Sequence, residues 1–191
     1  LKSFLVHKDF VCFYSAVLKA AFSSEYIEGK TQTYRLEDTT EDAVRLLVHW
    51  LYTQKLDIHQ LDELKDLGDI AKKEEKSLVE LWVLADRLFI RKLQNDVICL
   101  MEELQVRTEK IPTSTFPFVW ENTQTTSPLR RYLLDGCIFD LDQSWFQWSP
   151  DHFPKEMLLE LATDLLAMHI NGTEYKRHKA RDMAEYKVPE E

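Results

Sequence analysis

The order of elements between Phe4 and Leu56 constrains this chain more than any single residue does. Phe4-Leu5-Val6-His7-Lys8 reads as a short apolar strand that stops at a polar turn. Asp9 to Phe22 then places Phe10, Tyr14, Val17, Leu18, Ala21 and Phe22 at the spacing of a one-faced helix. After a turn at Glu28-Gly29-Lys30, Thr31 to Leu36 alternates as a strand would. Thr39-Thr40-Glu41-Asp42 supplies a capping hydroxyl and early acids for a helix carrying Val44, Leu47, Val48 and Leu51. The pattern is strand, helix, strand, helix, at short and regular lengths.

That order, with the wording FLVHKDFVCFYSAVLKAAF and LLVHWLYTQKL, resembles the BTB/POZ domain, of the kind found in many fungal proteins. Further along, LVELWVLADRLFIRKLQNDVI resembles the pair of helices that closes the same domain as a hairpin. The resemblance covers about the first 105 residues and implies a docking module instead of a catalyst. It also implies an α+β fold class, a small sheet flanked by helices, followed here by an α-helical extension.

The expected organisation has three parts. Residues 1–106 form the BTB/POZ domain, N-terminally incomplete because the chain opens on Leu1, with an acidic loop insertion over about 57–77. That insertion is dense in Asp, Glu and Lys and has few apolar groups to offset the entropy of ordering. Regular structure resumes at Leu78, with Leu81, Trp82, Leu84, Ala85 and Leu88 forming a broad apolar stripe. Residues 107–172 form a helical extension packed on the first part. In it, Ser127-Pro128 opens one helix, and Phe153-Pro154 opens another with Met157, Leu158, Leu161, Leu165 and Met168 inward. Asn171-Gly172 offers a stop. Residues 173–191 read as a charged, disordered tail.

Charge narrows the partners. A formal net charge of −9 repels phosphate backbones and anionic lipid, so neither nucleic acid nor membrane is an expected partner of this chain. No apolar run reaches the roughly 20 residues that span a bilayer, and no signal segment opens the chain. A cytoplasmic or nuclear location follows as an expectation. Cys12, Cys99 and Cys137 each sit in an apolar helical pattern and read as buried free thiols, not as a disulfide framework.

Nothing in the sequence supports a catalytic, cofactor or metal site. His7, His49, His152 and His169 lack ligand spacing. A Cys12–His7 pair would need a third orienting group and an oxyanion site, and a chain with four glycines offers no Gly-rich turn for the latter. Trp145, Phe146, Trp148 and Phe153 form an aromatic cluster that either packs the extension or anchors a partner. The basic run Lys176 to Arg181 reads as a solvated helix face or tail ahead of a short localisation signal.

The candidate partner-binding residues are Phe22, Ser23, Tyr26, Glu28, Trp145 and Trp148. Four of these follow from the resemblance. Family members that dock a cullin scaffold, as substrate adaptors of ubiquitin ligases, carry a hydrophobic-any-acidic motif after the helix matching Asp9 to Phe22. Here that place reads Ala21-Phe22-Ser23, with serine for the acid, while Tyr26-Ile27-Glu28 has the right residue types more than a turn later. The resemblance therefore implies a protein-interaction module whose partner is itself or a cullin scaffold, with an adaptor role ahead of cullin docking. A part in a transcriptional regulator is a further alternative that needs DNA-binding residues this chain does not carry. Strand exchange between paired subunits uses a strand upstream of Ser3-Phe4-Leu5-Val6, so the chain is expected to be monomeric or weakly dimeric.

Overall fold

The computed structural model describes residues 2–58, 69–171 and 181–190. They fall into two compact units, residues 1–101 with 188–191, and residues 102–187.

The first unit begins with two short helices where one was expected: α1 (Lys8–Tyr14) and α2 (Ala16–Phe22). Ser15 separates them in an extended conformation, and its Oγ accepts the N–H of Leu18 at 3.1 Å, capping α2. A polar residue inside an apolar helical pattern thus ends one helix and starts the next. A third short helix, α3 (Ile27–Thr31), and then α4 (Glu41–Thr53) follow. Thr40 caps α4 as the sequence indicates, accepting from Ala43 N–H.

The α+β expectation is overturned. Among the described residues there is no strand, and the structure there is helical. An extended segment becomes a strand only when a neighbour pairs with its backbone. Residues 2–7 enter no ladder, and Leu5 is fully exposed. The second expected strand loses its start to α3, which runs through Thr31. Gln32 then turns the chain with φ 51°.

Residues 59–68 of the expected acidic loop lie outside the described residues. The rest of it is different from the expectation, because α5 (Asp69–Arg87) begins well before Leu78. Its second half is buried on every side: Leu78, Val79, Leu81, Trp82, Val83, Leu84 and Ala85 are all core. Such a helix holds its charged first turns regular by propagation from the buried end. It closes in a Schellman motif. Ile90 N–H donates to Ala85 O at 2.9 Å, and Phe89 N–H to Asp86 O at 3.0 Å. Phe89 occupies the left-handed position at φ 52°, where glycine is usual. Then α6 (Arg91–Thr108) buries Leu93, Val97, Ile98, Leu100, Met101 and Leu104. Trp50, fully buried on α4, donates its Nε1–H to Asp96 on α6 at 2.8 Å and lies under Lys92. Cys99 is exposed and Cys12 half-buried, so of the three thiols only Cys137 is buried as expected.

The second unit contains α7 (Phe116–Asn122), α8 (Pro128–Asp140), α9 (Trp145–Trp148) and α10 (Lys155–Ile170). Ser127-Pro128 does open α8, although the Ser127 hydroxyl does not cap it; among the described residues this buried hydroxyl has no hydrogen-bond partner. Asn171 ends α10, and Gly172 lies outside the described residues.

The organising group is Arg130, which sequence reasoning passed over. It is buried, and all five of its N–H donors are used. Nε donates to Thr123 Oγ1, one terminal nitrogen to Glu156 and Glu160 at 2.8 Å each, and the other to the carbonyls of Trp120 and Thr123. A buried charge is tolerated when it is paired and fully hydrogen-bonded, and this one is. Arg181 plays a similar part, joined to Glu102 at 3.0 Å and lying over the Tyr132 ring. It is the only described member of the expected basic run, and it is largely buried instead of solvated. Residues 173–180 of the expected tail lie outside the described residues. Residues 181–190 are placed by specific bonds, including Tyr186 O–H to Asp135 at 2.6 Å. Burial raises the phenol pKa values of Tyr132 and Tyr186.

Candidate functional site

The α2–α3 corner brings together four of the six candidate residues. Phe22 ends α2, Ser23 is its C-cap, Tyr26 is the N-cap of α3, and Glu28 lies in its first turn. The corner is tightly built. Ser24 Oγ donates to Ala21 O at 2.7 Å, and the Ser24 carbonyl sits so close to Gly29 that a Cβ there would lie 1.8 Å from its oxygen. Only glycine fits that approach. The Phe22 carbonyl accepts from Lys8 Nζ at 3.3 Å and Gln32 Nε2 at 3.2 Å, and Gln32 Nε2 also reaches Gly29 O. Phe22 is half-buried and meets Tyr34 edge to face.

On this frame two apolar side chains stand in solvent: Tyr26 is 78% exposed and Ile27 69%. Ile27 was not singled out from the sequence, where it read as the middle of a motif. Its exposure becomes visible only once α3 is known to start there. Side chains held out by a rigid backbone lose little entropy on meeting a partner.

Trp145 and Trp148 belong to the second unit, on α9, with ring centroids 6.3 Å apart. The aromatic cluster divides between the two roles weighed for it. Phe146 packs on Phe153 at 4.5 Å, and Phe153 on Phe116, whereas Trp148 is 72% exposed. On α10, Met157 and Leu161 are buried as expected, but Leu158 is exposed, along with Leu159, Leu166 and Ile170. The helix is apolar almost all round, so periodicity gave no sure inner face.

His7 and His152 have local structural partners. His7 offers its N–H and Nδ1 to Tyr52 Oη, at 2.9 and 2.8 Å, and His152 Nδ1 lies 2.9 Å from Thr113 Oγ1. Among the described residues no three His, Cys, Asp or Glu side chains gather as metal ligands, and no helix is long and apolar enough to cross a membrane. What these surfaces can do is bind protein: exposed aromatic and aliphatic groups on a firm frame are the usual anchors of interfaces.

No curated protein and no solved structure gives a match to this chain. The family model of the BTB/POZ domain matches residues 1–103, more than half of the 191, and takes in the exposed corner, α4, α5 and most of α6. The chain belongs to the BTB/POZ domain family, a family of protein–protein interaction modules.

Proposed function

We propose that this chain is an adaptor that docks a different protein on the α2–α3 corner through Tyr26 and Ile27, with Phe22, Ser23 and Glu28 around them. The observation that carries the reading is the exposure of two adjacent apolar side chains on backbone fixed by Gly29 and Gln32. Trp145 and Trp148 serve as a second anchor on the other unit. The partner is not a cullin scaffold bound in the family's usual way, because Ser23 cannot supply the carboxylate that the motif provides. Its place of work is the cytoplasm or nucleus, where Cys12, Cys99 and Cys137 stay reduced.

Self-association is the second reading, and a separate surface favours it. Phe13 on α1 is 80% exposed, with Phe10 a turn before it. Sedimentation of the full chain separates the two readings. The adaptor reading expects one copy at micromolar concentration. A dimer that Phe13→Glu dissolves supports self-association instead.

A further inference from the structure

We propose that the start of α6 carries a receptor groove for an extended peptide segment of the type apolar–Pro–acidic, which the chain's own Val188-Pro189-Glu190 occupies. This goes beyond the docking corner, from which it is distinct, and does not depend on it. Asn95 is the reader. Its side chain is 4% exposed and makes both bonds that one peptide residue can offer. Val188 N–H donates to Asn95 Oδ1 at 2.7 Å, and Asn95 Nδ2 donates to Val188 O at 2.9 Å. The second proton of Nδ2 goes to the Glu190 carboxylate at 2.8 Å. A buried amide on a helix is costly unless each group is paired, and a helix supplies no spare backbone for it. The pairing comes from extended main chain, which any segment of suitable side chains can present.

The side-chain preferences follow from the walls. Glu190 forms one wall of a groove whose other walls are Phe13, Tyr14, Phe89, Ile90, Arg91 and Lys92, so the acid borders a surface that is aromatic and basic. Proline fits between the paired residue and the acid because no N–H is read there, and it presets the extended form. Phe89, 62% exposed, takes a left-handed backbone where glycine would be easier, and so presents a ring to this groove. Residues 187–190 form no helix or ladder, so side chains alone seat Val188. A segment held in this way is exchangeable. A tethered occupant competes at an effective concentration on the order of millimolar, so a partner must outbid the tail.

The test is fluorescence anisotropy with a labelled peptide of residues 184–191. It is titrated against the full chain and against full-length Val188→Pro, whose tail has lost the N–H that Asn95 accepts. The variant is expected to bind the peptide about tenfold or more tightly than the unmodified chain, as the cis competitor is weakened. The same peptide N-methylated at the Val188 nitrogen is expected to lose that binding; this arm leaves the receptor intact. Equal affinity for both chains, or undiminished binding of the N-methylated peptide, overturns the proposal. Sedimentation of the unmodified chain provides the remaining outcome. A dimer that Val188→Pro dissolves makes a second copy's tail the occupant and overturns the partner-segment reading.

Discussion

Ser15 Oγ donates to the carbonyl of Leu88 at 2.7 Å while accepting the N–H of Leu18, so one hydroxyl both caps α2 and ties it to the end of α5. The residue is fully buried. That bond fixes the break between α1 and α2 at the place where α5 turns into α6.

Replacing Ser15 with alanine removes the cap and leaves the Leu88 carbonyl buried without this donor. The expected loss is about 2 kcal/mol, the sum of a cap of about 1 and a buried acceptor of about 1. Urea unfolding should show a lower midpoint with an unchanged slope.

Phe89→Gly is expected to make the chain more stable. The left-handed position costs a non-glycine residue about 1–2 kcal/mol, and glycine returns about 0.5–1 of that gain as unfolded-chain entropy. The net gain of about 0.5–1 kcal/mol should be read as a rise in melting temperature. A fall in melting temperature instead would show that the Phe89 ring contributes more through packing than its backbone costs.

Arg130→Met should be among the most damaging single changes. It removes five hydrogen bonds and strands the carboxylate of Glu160 and the carbonyls of Trp120 and Thr123. Breaking a buried pair from one side costs about 3–5 kcal/mol. Arg130→Lys, with three donors for five acceptors, should lose less. Urea-unfolding midpoints should rank the unmodified chain, Arg130→Lys and Arg130→Met in falling order.

Cysteine chemistry should separate by position. Burial, with Asp140 nearby and Arg181 opposing, pushes the Cys137 thiol up from its ordinary value to about 12. The folded chain thus holds this proton more tightly than the unfolded chain. Its contribution to stability is complete below about pH 9 and is lost as pH rises from there towards 12. At pH 8, iodoacetamide should label exposed Cys99 quickly and Cys137 only on unfolding. Cys137→Ala should flatten the alkaline fall in stability above pH 9.

The sequence was legible where apolar spacing was one-sided. The stripes of α4, the second half of α5, and α6 could be read directly, and the family followed from their order. Helix ends were not legible, for a specific reason. The chain has four glycines, and α3, α4, α5 and α6 are followed by left-handed turns on Gln32, Gln54, Phe89 and Glu109. The usual stop signal is therefore missing. The expected strands failed because alternation marks a strand only where a partner ladder exists. Of the docking corner, Tyr26 and Glu28 were visible through a motif. Gly29's close approach to Ser24 depends on how the chain turns between α2 and α3. Asn95 gave no signal at all, since an asparagine in a helical stretch does not announce which backbone it will bind.

The proposed docking of a different protein on the α2–α3 corner is open to direct capture. A photo-reactive phenylalanine analogue placed at Tyr26 of the full chain, in extract from its own cells, tests it most directly. The same analogue at exposed Glu121 serves as the control. One discrete heterologous adduct is expected at position 26, absent from position 121, displaced by excess unmodified chain and lost on Ile27→Asp with the melting temperature unchanged. Adducts only between copies of the chain, or the same adducts from both positions, would contradict it.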